Sequence, residues 1–341
     1  MKFDKTQTNI CKGIAIILMI IHHIFPNMDG YGLNVFGIWI MPQLAILGKI
    51  CVSIFLFLSG YGLFESYKNR SFEIKKFYVK RLKTIYINYW MVFIIFTSIG
   101  WFFYRNIFLS FLQYPFSPLK NLIINFLGIQ YFYNGYMGYN PSWWFVSEIL
   151  LLYLLFPFIK KMLENNKGTI FLVVFTLLFY SFFNKIQIND FYVNLLYFCP
   201  FIIGTFFSKY EIFNIYHKYL RIKKSNIVCL VIVTCIISFF RIKVGLNGWG
   251  IRIDCILAPL YCLIVNYLYD NKNDDKWYNR LAFLGKHSFN IYLIHLFITN
   301  MYTTPYIYNL NSPFFMVTVT IMISLIFSYF IETIKIILKI G

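Results

Sequence analysis

Apolar residues recur in long runs along this chain, and short polar stretches separate the runs. A membrane-spanning helix needs about 20 mostly apolar residues, and the sequence offers ten runs of roughly that length. We therefore predict an all-α polytopic integral membrane protein with about ten transmembrane helices. The predicted spans are residues 12–30, 46–65, 85–103, 142–159, 169–184, 191–208, 225–241, 251–269, 287–303 and 313–334.

Composition excludes a water-soluble fold. Of the 341 residues, 59% are hydrophobic and 13% are charged, whereas globular domains carry about 25% charged residues. We predict a single membrane domain over residues 1–341 with no separate soluble domain. The seven cysteines contain no C-x-x-C pair, so we predict no metal site and no bound cofactor.

The charge distribution predicts the orientation of the chain. A net charge of +18 would suggest nucleic acid as the partner of a soluble protein, but in membrane proteins Lys and Arg collect in cytoplasmic loops. With the N-terminus in the cytoplasm, 24 of the 31 basic residues fall on the cytoplasmic side. We predict that both termini are cytoplasmic, and no nucleic-acid partner is expected. The longest outer segment is 104–141, of which 119–132 is amphipathic enough to lie in the membrane interface or to re-enter the membrane.

Ionisable residues inside apolar spans are costly and therefore mark candidate functional sites. Lys12 and His23 lie eleven residues apart in the first span, which puts them on one helix face about 16 Å apart along the axis. Histidine is the side chain best suited to general base chemistry near neutral pH. The alternative is a packing histidine with a lysine that extends its charge to the interface.

A basic cluster precedes the third span and contains Lys80, Arg81 and Lys83. These cations can set the topology and contact anionic lipid. Alternatively, they can bind a phosphorylated donor on the cytoplasmic side.

The fourth span begins with a tryptophan pair followed by two polar residues. Trp143 and Trp144 are predicted to anchor the chain at the outer interface. Ser147 and Glu148 lie one turn deeper, where a carboxylate needs a partner or a wet cavity. Pairing with a neighbouring cation and a catalytic or substrate role both stay open.

Two further polar groups lie inside predicted spans. Tyr292 and His295 belong to a ladder of polar residues in the ninth span, which indicates a lined cavity. Arg252 and Asp254 lie near the outer end of the eighth span, and we predict a structural ion pair there.

Taken in order, these segments resemble the acyltransferase-3 family of bacterial membrane O-acyltransferases. The family opens with a basic residue, Gly-Ile-Ala and a histidine eleven positions after the basic residue, matched here by Lys12, which is usually Arg, and His23. Four more family segments are matched by SIFLFLSGYGL, KRLKTIYINYW, WFVSEILLLYLLFP and LGKHSFNIYLIH. Three departures are Asn88 in place of a frequent proline, Phe289 in place of tyrosine, and Glu148, which lies one position before the family's acidic residues.

The resemblance implies transfer of an acetyl or other short acyl group from cytoplasmic acyl-CoA to a hydroxyl of a cell-surface glycan or its lipid-linked precursor. It implies a multi-pass enzyme of the bacterial cytoplasmic membrane, with catalytic roles for His23 and Lys12. Acyl-CoA would bind at Lys80, Arg81 and Lys83. The acceptor cavity would be lined by Trp144, Ser147, Glu148, Tyr292 and His295.

Two other classes of protein are alternatives. A transporter or flippase would share the spans and the buried charges without any chemistry, but the two halves show no repeat of the kind that many transporters have. A glycan polymerase would carry several arginines in a long outer loop, whereas segment 104–141 contains only Arg105.

Overall fold

The computed structural model of the protein describes residues 3–26, 34–35, 37–133, 135–182, 195–269 and 275–340. Helices dominate these residues, and strands β1 (Asn34–Val35) and β2 (Ile38–Trp39) form a short antiparallel pair. The helices are α1 (Lys5–Ile24), α2 (Ile40–Gly48), α3 (Ile50–Tyr67), α4 (Ile74–Phe103), α5 (Arg105–Gln113), α6 (Pro118–Phe126), α7 (Trp144–Leu163), α8 (Asn166–Phe182), α9 (Phe198–Lys209), α10 (Ile212–Ile222), α11 (Lys224–Val244), α12 (Gly248–Tyr269), α13 (Lys276–Lys286), α14 (Ser288–Leu296), α15 (Thr304–Tyr308) and α16 (Pro313–Ile337).

The prediction of an all-α polytopic membrane protein is confirmed. Within the described residues, seven helical segments are long and apolar enough to cross a membrane, or eight if the broken pair formed by α13 and Ser288–Met301 counts as one span. The predicted spans 169–184 and 191–208 coincide with two shorter apolar helices, Asn166–Leu178 and Phe198–Lys209. Residues 27–30, 183–184 and 191–194 of the predicted spans lie outside the described residues.

The first helix begins earlier than the apolar run predicts, because the sequence supplies a capping box. The Asp4 carboxylate accepts a hydrogen bond from the backbone N–H of Gln7 at 2.8 Å, and the Gln7 side chain accepts one from the backbone N–H of Asp4 at 2.9 Å. This reciprocal arrangement satisfies two of the N–H groups that every helix start leaves without partners. Helix α1 therefore starts at Lys5.

The chain forms two compact units, each assembled from separate stretches of sequence. Unit 1 consists of Met1–Phe72, Phe158–Gln187 and Val193–Ser288, and unit 2 of Glu73–Pro157, Ile188–Tyr192 and Phe289–Gly341. Lys12 and His23 belong to unit 1, whereas the other candidate site residues belong to unit 2.

Close backbone contact at glycines holds helices α3 and α9 of unit 1 together. A side-chain carbon at Gly60 would collide with the backbone carbonyl of Phe201, and one at Gly204 would collide with that of Phe57. Small residues at helix interfaces let backbones approach closely, which is how many membrane helices associate. Gly60 is the first of the two glycines in the SIFLFLSGYGL segment, and packing explains why that position needs a glycine.

Candidate functional site

Lys12 and His23 share one face of α1, as their spacing predicts. Both side chains are half-buried, and Ile16 and Met19, which lie between them on that face, are buried. Helical spacing puts a second, half-buried apolar face on the opposite side of α1, formed by Ile14, Ile17, Leu18 and Ile21. The face with the histidine is therefore the better buried of the two.

The neighbouring His22 has a different environment from His23. His22 is buried, and its Nδ1 lies 2.8 Å from the backbone oxygen of Ala45 on α2. A carbonyl can only accept a hydrogen bond, so Nδ1 of His22 carries the proton. The two imidazole rings meet edge to face, with centroids 4.9 Å apart. His22 thus joins α1 to α2.

Two segments that carry the family resemblance meet where α1 packs against α13. A side-chain carbon at Gly13 would collide with the backbone carbonyl of Leu281, and one at Gly285 would collide with that of Asn9. Gly13 follows Lys12 directly, and Gly285 belongs to the LGKHSFNIYLIH segment. The glycines of these two segments therefore position the helix that carries Lys12 and His23.

In unit 2, the basic cluster lies in the first third of α4. This helix has 30 residues and is about 45 Å long, whereas the hydrocarbon core of a bilayer is about 30 Å thick. Part of the helix therefore exceeds the core, and its charged N-terminal part is the one that suits an aqueous environment. Lys80 and Lys83 are exposed and Arg81 is half-buried. The Tyr78 hydroxyl donates a 2.8 Å hydrogen bond to the Leu154 carbonyl, which fixes this part of α4 to α7.

The aromatic residues after the basic cluster cap the end of α6. The Tyr86 hydroxyl donates to the Leu127 carbonyl at 2.8 Å, the Trp90 indole N–H donates to the Phe126 carbonyl at 2.8 Å, and the Tyr89 hydroxyl donates to the Asn125 carbonyl. The last carbonyls of a helix have no partner within it. The KRLKTIYINYW segment supplies these partners, which gives its aromatic residues a structural role.

Glu148 differs from the other candidate residues on α7. Ser147 is fully buried and donates a 2.7 Å hydrogen bond to the Gly128 carbonyl, and Trp144 is half-buried beside Tyr131. Glu148 is only 3% exposed, yet its carboxylate forms no hydrogen bond or ion pair with any described residue. The alternative of pairing with a neighbouring cation is therefore not realised in the described part of the chain. A buried carboxylate of this kind indicates a functional position.

Trp143 is not the interface anchor that the sequence predicts. Its side chain is fully buried, packs against Tyr89 with ring centroids 5.0 Å apart, and donates from its indole N–H to the Leu293 carbonyl at 3.0 Å. Asn140 donates to the same carbonyl at 3.3 Å. Downstream of Leu293 the helix changes to a π-turn at Phe297–Met301. Such a change in hydrogen-bond register can free a carbonyl of the preceding turn for side-chain donors.

Tyr292 and His295 are both held by backbone carbonyls of unit 2. The Tyr292 hydroxyl donates to the Ser142 carbonyl at 2.5 Å. Nδ1 of the fully buried His295 donates to the carbonyl of Tyr292 at 2.7 Å. The proton on Nδ1 leaves Nε2 as the basic nitrogen of the neutral ring. The role of both residues in an acceptor cavity stays a prediction.

The predicted ion-pair site at Arg252 and Asp254 contains a buried ion pair, but its basic partner is a residue that the prediction did not name. Asp254 instead receives two hydrogen bonds from Arg241, at 2.6 Å from Nε and 3.1 Å from Nη2, and both residues are buried. Arg252 lies over the Trp249 ring, 4.7 Å from its centroid. Arg241 lies near the end of α11 and Asp254 near the start of α12, and only a short turn separates these helices. This closeness along the chain is the sequence signal that could have identified Arg241 as the partner.

Comparison with known proteins assigns the family. The acyltransferase domain model of the acyltransferase-3 family matches residues 7–333 of the chain. The protein therefore belongs to this family, and it is a multi-pass membrane acyltransferase. Searches of curated proteins and of solved structures found no significant match.

Proposed function

We propose that this acyltransferase transfers an acetyl or other short acyl group from acyl-CoA to a hydroxyl of a cell-surface glycan or of its lipid-linked precursor. The donor binds from the cytoplasm, and the enzyme works in a bacterial cytoplasmic membrane.

The observation that carries the proposal is the shared face of Lys12 and His23. These two side chains are half-buried at either end of a buried stripe on α1. They are also the residues that match the family's opening segment. His23 is thus shielded from bulk water on a helix whose position is fixed by Gly13 and Gly285.

His23 acts as the general base. It takes the proton from the acceptor hydroxyl while the oxygen attacks the thioester carbonyl, so an oxygen–carbon bond forms. The tetrahedral intermediate then expels the CoA thiolate, the carbon–sulfur bond breaks, and the proton on His23 returns to the sulfur. General base catalysis typically contributes about 10²–10⁴-fold, and the remaining acceleration must come from holding donor and acceptor in line.

The cations of α4 suit the CoA end of the donor. Lys80 and Lys83 are exposed on the part of the helix that extends beyond the membrane core, with Arg81 between them. Phosphate and pyrophosphate groups bind to Lys and Arg through charge-assisted hydrogen bonds.

Acyl transfer can be tested with the purified full-length protein in lipid nanodiscs. Radiolabelled acetyl-CoA and surface glycan should yield labelled glycan and one free CoA thiol for each acetyl transferred. Brief mild alkali should release the label, because esters hydrolyse under conditions that leave amides intact. If no CoA is released and no glycan is labelled, the proposal is wrong, and a transport assay with the same glycan then tests the transporter alternative.

A further inference from the structure

Helix α10 of unit 1 must lie at the membrane surface because of its position in the chain. It ends at Ile222, and α11 begins at Lys224 as one of the helices able to cross the membrane. Only Lys223 separates them, so the end of α10 cannot lie far from the surface at which α11 enters. At its other end, two residues connect α10 to the apolar helix α9.

One face of α10 packs into unit 1. Phe213, His217 and Leu220 are buried at helical spacing. The Phe213 ring stacks on Phe3 with centroids 4.1 Å apart and meets Tyr61 edge to face at 5.2 Å. This face anchors the helix and fixes which side chains point away from the protein.

A second face of α10 is apolar and exposed. Ile215, Tyr219 and Ile222 follow one another at the spacing of one helix face, with 59%, 54% and 70% of their surfaces exposed. A helix that is packed on one side and apolar on another is typical of helices that lie in the membrane interface. Hydrocarbon is therefore the environment that fits this exposed strip.

The charge around α10 is strongly positive. Between residues 209 and 224 the chain has five cations, namely Lys209, Lys218, Arg221, Lys223 and Lys224, and one acid, Glu211. The Glu211 carboxylate accepts a 3.0 Å hydrogen bond from Asn214 and lies 3.6 Å from the Lys68 ammonium. Its charge is thus partly balanced from within unit 1.

The cations and the apolar strip meet at a pocket in the first turns of α10. This pocket has a volume of about 400 Å³ and is lined by Lys209, Tyr210, Glu211, Asn214, Ile215 and Lys218. The Lys209 ammonium donates to the Thr169 hydroxyl at 2.6 Å, which leaves two of its three N–H groups for another acceptor. Lys218 lies one turn beyond Ile215, so a cation and the apolar strip share this side of the helix.

We propose that α10 is an interfacial helix whose pocket binds the phosphate of an anionic phospholipid from the adjacent leaflet. Lys209 and Lys218 contact the phosphate, and the acyl chain lies along Ile215, Tyr219 and Ile222. An anionic head next to two hydrocarbon chains matches a cationic pocket next to an apolar strip. A phospholipid also reaches this position at high concentration, because the helix already lies in the interface.

Native mass spectrometry of the full-length protein provides the test. The protein is transferred from nanodiscs containing equal amounts of phosphatidylglycerol and phosphatidylcholine, and the retained lipids are counted. The wild type should retain phosphatidylglycerol preferentially. Lys209→Gln and Lys218→Gln should each lower that preference about fivefold, the expected contribution of one lysine near an anionic surface. Ile215→Ser with Ile222→Ser should lower retention of both lipids.

Lys243→Gln is the matched control, because this lysine lies at the opposite end of α11, beside Phe239, and should leave the preference unchanged. Equal loss in the control, or an unchanged preference in both Lys209→Gln and Lys218→Gln, would overturn the proposal. Displacement of the lipid by micromolar acetyl-CoA would also overturn it, because the pocket would then serve a soluble phosphorylated ligand. Thermal unfolding of each variant is measured to check that α10 still packs into unit 1.

Discussion

The helices inside unit 1 and those inside unit 2 are held in place by different kinds of contact. In unit 1, glycines bring helix backbones into direct contact, as at Gly60 with Phe201 and at Gly13 with Leu281. In unit 2, polar and aromatic side chains reach backbone carbonyls, as Trp143 does at Leu293 and Ser147 does at Gly128. Both solutions suit a membrane, where burying apolar surface adds little to helix association.

This comparison separates the polar residues that bind a backbone carbonyl from Glu148, which does not. His22, Ser147 and Tyr292 each bind a backbone carbonyl. Glu148 is buried without such a partner among the described residues, and His23 lies half-buried on the face that it shares with Lys12. The proposed general base at His23 rests on the face that it shares with Lys12 and on its match to the family's histidine, whereas packing gives no role to the buried carboxylate of Glu148.

The largest effect is expected at His23. His23→Ala should lower the turnover of acyl transfer at least 100-fold, because the general base is lost. His22→Ala should cost about 1 kcal/mol of stability through the lost bond to Ala45 and keep most of the activity. Steady-state assays with labelled acetyl-CoA measure both variants, with size-exclusion chromatography to verify insertion and folding. Near-normal turnover in His23→Ala would remove the proposed mechanism.

Two glycines of α3 should respond differently to an added side-chain carbon, because only Gly60 contacts the backbone of another helix. Gly60→Ala places a carbon against the Phe201 backbone and should destabilise the protein by about 1–3 kcal/mol, the usual cost of overpacking. Gly62→Ala has open space and should leave stability unchanged or slightly raised. Thermal unfolding in detergent compares the two, and equal melting temperatures would contradict the packing assigned to α3 and α9.

In unit 2, neighbouring positions on α7 should respond with opposite signs. Glu148→Gln should stabilise the protein by about 1 kcal/mol, because it removes a buried carboxylate that lacks a partner. Ser147→Ala should destabilise it by about 1 kcal/mol through the lost bond to Gly128. Thermal unfolding at neutral pH measures both changes. A destabilised Glu148→Gln would mean that this carboxylate has a stabilising partner in the native protein.

The smallest effect concerns donor binding. Arg81→Glu should raise the KM for acyl-CoA about fivefold with less change in turnover at saturating donor, because the lost interaction is made equally in the ground and transition states. Lys76→Glu is the matched control on α4, since Lys76 is already paired with Glu73 at 2.9 Å. If both variants leave the KM unchanged, the cluster serves topology rather than donor binding.

Periodicity and hydropathy predicted the helices well, because each is a local property of the chain. The shared face of Lys12 and His23 likewise follows from spacing alone. Long-range partners could not be predicted in this way. The sequence offers no local sign that Trp143 reaches Leu293 or that three aromatic residues of α4 cap α6.

The resemblance identified the important segments but not the task of each residue. Gly13 and Gly285 were parts of two separate segments until the structure showed that both lie between α1 and α13. Ser147 and Tyr292 were predicted to line a cavity, and the structure adds a hydrogen bond for each to the backbone. A motif indicates that a position matters, whereas its contacts distinguish packing from chemistry.

The proposed transfer from cytoplasmic acyl-CoA to a cell-surface glycan is tested most directly in sealed inside-out membrane vesicles that contain the acceptor glycan in the lumen. Radiolabelled acetyl-CoA, which does not cross a bilayer, is added outside, on the side that corresponds to the cytoplasm. We predict alkali-labile label on the lumenal glycan with the wild-type protein and none with His23→Ala. Label that appears only after the vesicles are permeabilised, or only on glycan added outside, would contradict transfer from a cytoplasmic donor to an acceptor on the outer side.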